Sequence, residues 1–336
     1  DHSSIHYSYD SYGRCVQVVN QQAGTSTDQV LADYKDYTAL GKSQTTTFNN
    51  GLHAYTAYDP LGRVQTSQTT NNDKTLRDFE YTWNKASKLL GINDTRTGST
   101  QNMSQVFSYN TMGYLEHAKG IYGEEIYQYN PTGDITQYNN TRYQYDPKKK
   151  HQITKAYQIG HPNDLVATTG NYKNEPFDQP SLHLSYEDNG NTSTKSVIDS
   201  EGNTTDWKYN YDSNNNLIQI TKADTLVNKF TYNNSWQRMK KVNADGSAVY
   251  YISPSYVIEV DATGNQKATK YIKGPFGTLA SITDSGAVSY YHLNHIRSTT
   301  LITDENGKEK TQVSYKPYGE VDGKNSEITE KFIPKF

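Results

Sequence analysis

A short unit built on Tyr followed by Asp or Asn recurs along most of this chain, and any fold has to accommodate every copy of it. The copies read "YSYDSYGR" at 7, "YDPLGRV" at 58, "YTWNKASKL" at 81, "FSYNTMGYL" at 107 and "YQYNPTGDI" at 127. They continue as "YQYDPKKKH" at 143, "LSYEDNGNT" at 184, "YNYDSNNNL" at 209 and "FTYNNSWQR" at 230, and a degenerate copy, "YTALGKS" at 37, fills the first long gap. Anchors lie mostly about 16 to 28 residues apart, near the short end of structural repeats. The interval between the copies at 143 and 184 is longer, so one copy there is eroded or looped out.

Each unit reads as strand, tight turn, strand. In Asp59-Pro60-Leu61-Gly62 the Asp opens a type I turn, Pro sets its torsion and Gly allows the exit; Asn130-Pro131-Thr132-Gly133 repeats the arrangement. Before each turn two aromatic or apolar residues stand two apart, as in Phe107 and Tyr109, Tyr127 and Tyr129, or Tyr209 and Tyr211. That spacing puts both on one face of a strand. Gly, Asn, Thr and β-branched residues interrupt almost every helical window, and no amphipathic stretch of about 12 or more stands out. The pattern predicts an all-β array in which each hairpin pairs with the next and stability comes from stacking many copies.

Composition decides between such an array and disorder. The chain has 336 residues, room for two or three ordinary domains or one long array. Mean hydropathy is −0.91, and Leu, Ile, Val and Phe make up about a sixth of the chain, a level often seen in disordered segments. Yet Tyr occurs 30 times and the net charge is only −3. A Tyr ring buries a large area while keeping a hydroxyl that must find a partner, so tyrosine takes over much of the aliphatic role in a folded chain. The small charge excludes a global field toward nucleic acid or an anionic membrane, and no apolar run approaches the roughly 20 residues that span a bilayer. Cys15 stands alone, so no internal disulfide framework exists; it reads as a small strand residue. The opening "DHSSIHYSYD" has neither Met nor a leader, as expected of an excised or processed piece whose targeting signal lies outside it.

From about residue 250 the pattern changes to longer strands with hairpin turns at "ATGN", "DSGA" and "ENGK". "YYHLNHIRSTTLITDENG" followed by "YKPYGE" resembles the signature closing the repeat core of Rhs/YD-repeat proteins, and "YIKGPFGTLASI" resembles the strand before it. With the repeat copies, the resemblance covers nearly the whole chain. It departs at Asn294, where the family has an acidic residue, and at Arg297, where it has Gly, so the turn there is expected to open. The autoproteolysis segment found in family members is absent, and no cleavage residues are carried over. The resemblance implies a YD-repeat array over residues 1–249 and an Rhs-core C-terminal segment over 250–336, continuous in one β-strip. In the family such hairpins form a long spiralling antiparallel β-strip, part or all of a hollow shell. The shell encloses a toxic C-terminal polypeptide in Tc and bacterial competition toxins and serves an adhesion receptor in teneurins. Coiling a strip pairs its successive turns and hides aggregation-prone edges.

Motifs with possible chemistry are few. His292 and His295 stand three apart, a spacing that in a strand points them to opposite faces, without a Cys or carboxylate at ligand spacing; they read as structural or surface residues. "DSNNN" from Asp212 imitates the start of a calcium loop, but Leu217 and Ala223 occupy the positions of the required Gly and Glu, so it reads as a turn. Lys148, Lys149, Lys150 and His151 read as a solvated loop. Sequons at Asn93, Asn102, Asn139, Asn191, Asn203 and Asn233 matter only in a eukaryotic secretory pathway. Without a phosphate loop, nucleophile elbow or carboxylate pair, no catalytic, cofactor-binding or metal residue is nominated and no cofactor is expected.

The leading expectation is a non-catalytic shell segment of a secreted toxin, its partners an enclosed C-terminal toxin or effector polypeptide and other subunits of a toxin or secretion complex, but no nucleic acid. The alternatives are a cell-surface adhesion or carbohydrate-binding module, in which exposed Tyr rings meet glycans or a receptor, and a glycosidase on a β-helix, which needs two carboxylates at one groove.

Overall fold

The computed structural model describes residues 3–21, 28–71, 74–97, 99, 101–159, 180–324 and 326. Among them there is no helix, and the strands form one 27-stranded sheet. Its first part comprises β1 (Ser4–Tyr9), β2 (Cys15–Gln21), β3 (Gln29–Tyr37), β4 (Ser43–Phe48), β5 (His53–Tyr58), β6 (Val64–Thr70), β7 (Thr75–Trp83), β8 (Leu89–Asp94), β9 (Gln105–Tyr109), β10 (Leu115–Gly120) and β11 (Gly123–Tyr129). The middle comprises β12 (Ile135–Tyr138), β13 (Thr141–Tyr145), β14 (Ile153–Gln158), β15 (Leu182–Tyr186), β16 (Thr192–Ile198), β17 (Thr204–Tyr211), β18 (Leu217–Lys222), β19 (Thr225–Tyr232), β20 (Arg238–Asn243), β21 (Ala248–Ser253) and β22 (Tyr256–Val260). The last part is β23 (Gln266–Gly274), β24 (Gly277–Thr283), β25 (Val288–Leu293), β26 (Thr299–Asp304) and β27 (Glu309–Gln312).

Every strand pairs antiparallel with its sequence neighbours, and the first and last strands stay unpaired with each other, leaving an open strip. β14 pairs directly with β15, so the strip runs on across the long repeat interval, whose residues 160–179 lie outside the described residues. At β11 the strip steps sideways: Gly123–Ile126 pair with β10, whereas Tyr127–Tyr129 pair with β12. Strands do not lengthen toward the C-terminus, contrary to the sequence reading; β3, β7 and β23 all have 9 residues. What changes there is burial. β25 is buried at five consecutive positions, while residues of β17 alternate between exposed and half-buried.

The repeated turn is a three-residue hairpin loop. At Asp59 the backbone N–H donates to the Arg63 carbonyl at 2.9 Å, and the Gly62 N–H returns to the Asp59 carbonyl at 2.8 Å. The Asp59 carboxylate accepts the Leu61 and Arg63 N–H groups at 3.0 and 2.9 Å. Gly62 sits at φ 74, and the register slips by one residue at Tyr58. A left-handed fourth residue that absorbs the extra position as a bulge is the usual closure of a three-residue loop. Where Gly is missing, Ser87, Asn215, Trp236 and Arg297 take the left-handed conformation themselves, at φ 58, 64, 59 and 67.

The expected opening at Asn294 and Arg297 does not occur. The Asn294 N–H reaches the Ser298 carbonyl at 2.9 Å, and the Asn294 side-chain oxygen accepts the Ile296 and Ser298 N–H groups at 3.1 and 2.9 Å. An amide oxygen serves this turn as a carboxylate does, and Arg297 bears the backbone strain.

The repeated tyrosine closes the unit. Tyr145 donates its hydroxyl to the Ile135 carbonyl at 2.8 Å, Tyr186 to Ile153 at 2.7 Å and Tyr232 to Leu217 at 2.9 Å. Tyr109, Tyr129, Tyr211 and Tyr315 do the same to Leu89, Leu115, Thr192 and Thr299, and Trp83 does it to Val64 through its ring N–H. Each acceptor is the first residue after the preceding turn, so one copy is stapled to the copy before it.

Candidate functional site

The strip curls until its last strands lie over its first. Val18, Leu31, Phe48, Leu52 and Leu76 of the first part share one core with Ile272, Leu279, Tyr290 and Leu301 of the last. The Phe48 ring meets Tyr290 and His292 edge-on at 5.8 and 4.8 Å. Polar contacts fix the register of this seam: the Asn50 amide donates to the Thr303 hydroxyl at 3.0 Å and to the Asp304 carbonyl at 2.9 Å, and the Tyr7 hydroxyl donates to the Lys273 carbonyl at 2.9 Å. Further along, Lys316 lies 3.5 Å from the buried Glu125, and the Tyr129 and Tyr318 hydroxyls meet at 2.6 Å.

The seam also buries a cation. Arg77 points inward from β7, donating to the Leu293 carbonyl at 2.7 Å, the Thr300 hydroxyl at 3.0 Å and the Ser67 hydroxyl at 2.7 Å. Burial pushes its pKa down. Two cavities, of about 220 and about 280 Å³, abut the same guanidinium. The first is walled by Phe48, Ser67, His292 and Arg297, the second by Phe79, Tyr81, Met103 and Tyr315, and His295 borders both.

Both histidines face the first layer, not opposite faces as alternation along a strand implied. His292 is the penultimate residue of β25, but His295 lies beyond it in the turn, where alternation no longer applies. His292 shares a hydrogen with the Thr303 hydroxyl at 3.0 Å, and the His295 ring packs 4.9 Å from Tyr81 and 5.8 Å from Trp83. Burial pushes the imidazoles down to about 3 and about 4, so both are neutral at pH 7. Among the described residues no group of three or more His, Cys, Asp or Glu is disposed around a metal position.

The remaining sequence candidates fall into structural places. Cys15 opens β2, buried, its thiol pushed up by burial. Asp212 accepts the Asn214 and Asn216 N–H groups, as Asp59, Asp199 and Asp304 accept the corresponding groups in their own turns. Lys148–Lys150 form an exposed turn held by Asp146, and the adjacent His151 pairs with Asp134 at 2.6 Å, holding that carboxyl down at about 2. Among the sequons, Asn139 is committed to Ile126 and Glu125, while Asn93 and Asn203 are exposed. Sequence reasoning missed Arg77 and Asn50. For Arg77 a signal existed: in "TLRDFEY" it stands two and four residues before Phe79 and Tyr81, hence on their inward face.

The open antiparallel strip with its YD turns and its returning end is the architecture of an Rhs/YD-repeat shell. Among solved structures the chain is similar to the TcdB2–TccC3 complex without its hypervariable C-terminal region, at 15% identity and TM-score 0.63. It is also similar to the Photorhabdus luminescens Tc holotoxin pore, at 14% and 0.61. Each match covers 95% of this chain and 17% of the neighbour, so the chain spans about a sixth of their length. At these identities the likeness defines the fold. Among curated proteins, the tRNA3(Ser)-specific nuclease WapA of Bacillus spizizenii is 29% identical over 140 residues, 40% of this chain and 6% of WapA. No family model matches.

Proposed function

We propose that this chain is a non-catalytic wall segment of a secreted or cell-surface bacterial Rhs/YD-repeat toxin, and that the complete shell encloses and protects a C-terminal toxic or effector polypeptide. The observation that carries this reading is the seam. A strip whose hairpins are stapled copy to copy and whose end returns onto its beginning is a wall under construction, with an inner and an outer side. In this reading residues 1–249 are the repeat array and 250–336 the closing segment, and neither needs a cofactor. The low aliphatic content gives the inner side a polar, Tyr-rich character with few large apolar patches for cargo to adhere to. Other subunits of a toxin or secretion complex are the expected partners, as the Tc assemblies among its fold neighbours suggest.

The test uses the product of the whole gene, compared by size exclusion under native and denaturing conditions with intact mass on each peak. A separate C-terminal polypeptide that stays bound natively and leaves only in denaturant is the expected result. Cargo that trypsin digests while the shell stays closed would sink the reading. Exposed Tyr12 and Trp236 rings at turn tips favour the second reading, adhesion to glycans or a receptor. One uncleaved, open species that binds on a glycan array would establish that one instead.

A further inference from the structure

We propose that Arg77 and the two cavities it divides form a binding site for an organic carboxylate in the seam. The guanidinium offers five N–H donors, and its three partners are all neutral oxygens. The Nε hydrogen has no partner, and neither has His292 Nδ1 on the same cavity wall. Among the described residues no ion pair includes Arg77, which is 5% exposed. A cation removed from water without a counter-charge is strongly disfavoured unless an anion joins it.

The cavity walls make the same point independently. The smaller cavity presents Lys42, Arg77 and Arg297, the larger Arg77, Arg96 and Lys316, and neither contains an Asp or Glu. Arg96 and Lys316 are answered by Asp94 and by Glu125 and Glu320, whereas among the described residues no ion pair includes Lys42, Arg77 or Arg297, so the uncompensated charge gathers at the smaller cavity. The unused Nε hydrogen and the spare Nη2 hydrogen are donors of the kind a flat carboxylate takes two at a time. Phe48, Phe276 and Leu279 line the same space, which suits an organic acid better than a strongly hydrated phosphate. The cavity of about 220 Å³ admits a short chain: a free small acid or an aspartate side chain.

Thermal unfolding of the 336-residue chain tests this with sodium acetate, N-acetyl-aspartate amide, inorganic phosphate and chloride at matched ionic strength. Acetate is expected to raise Tm with the logarithm of its concentration, by about 5 °C at a hundredfold excess over Kd, while chloride does not. A matching rise with the blocked aspartate assigns the site to a peptide side chain; acetate alone assigns it to a free acid. A rise with phosphate only, no rise at all, or an equal rise in Arg77→Met overturns the proposal. Should that variant not fold, the Arg Nε–H resonances of the unmodified protein decide. One buried resonance shifting with acetate supports the site, and none shifting refutes it.

Discussion

Tyr145 shows why the repeat is written with tyrosine and not leucine. Its ring covers the strip, and its hydroxyl donates to the Ile135 carbonyl, just after the preceding turn and opposite the bulge at Tyr129. Tyr145→Phe keeps the ring and removes the bond, at an expected cost of about 1 kcal/mol, read as a fall in the urea midpoint with unchanged m. A second residue-scale prediction concerns acid. His292 titrates near 6.5 unfolded but is held down to about 3 in the fold. Below pH 6.5 the unfolded chain takes up a proton that the native chain refuses, so stability falls as pH drops. At pH 5 the loss is about 2 kcal/mol from this one group. His292→Gln should flatten the stability profile between pH 7 and 5; an unchanged slope contradicts the assignment. Turn acids such as Asp10, held low first of all by the Arg14 backbone N–H, act in a lower window, as pH falls below the ordinary carboxylate range.

The turn is the element that the sequence made plainest, because all its determinants are local. An acid or amide opens it, a left-handed residue closes it, and both lie within five positions of chain. Sequence reasoning erred at Arg297 by treating Gly as obligatory, when non-glycine residues merely pay strain there. Left-handed backbone costs an L-residue about 1–2 kcal/mol, so Arg297→Gly should stabilise the protein by about 1 kcal/mol, less a part lost to unfolded-state freedom. Gly307, also a turn-closing residue, predicts the opposite sign. It sits at φ +76, and a Cβ there would lie 2.9 Å from the Asn50 carbonyl of the other layer. Gly307→Ala should destabilise by about 2 kcal/mol or more. Thermal midpoints of the two variants separate a turn that stands free from one pressed into the seam.

The seam itself was not legible, since nothing local announces that Asn50 will meet Thr303 across the curl of the strip. Alternation identified the faces but could not say which face meets which. That pairing gives the molecule unequal parts. Between Thr141 and Asn243 the buried side chains among the described residues are Ala156 and Phe230, whereas β23–β26 and β2–β7 share a continuous core. Strands of the middle part are held by ladders, turns and Tyr staples; those of the seam have packing as well. Native-state hydrogen exchange should therefore show β23–β26 protected close to the global limit and β15–β20 opening at much lower free energy. Phe48→Ala makes the distinction sharper. It removes a ring that touches both Tyr290 and His292, a loss of about 3–5 kcal/mol for a core aromatic. If the two layers unfold as one unit, exchange should rise together in β4 and β24–β26 and stay unchanged in β15–β20. A rise confined to β4 would mean that the returning strands hold themselves up, and that the strip is stable without the contact that closes it.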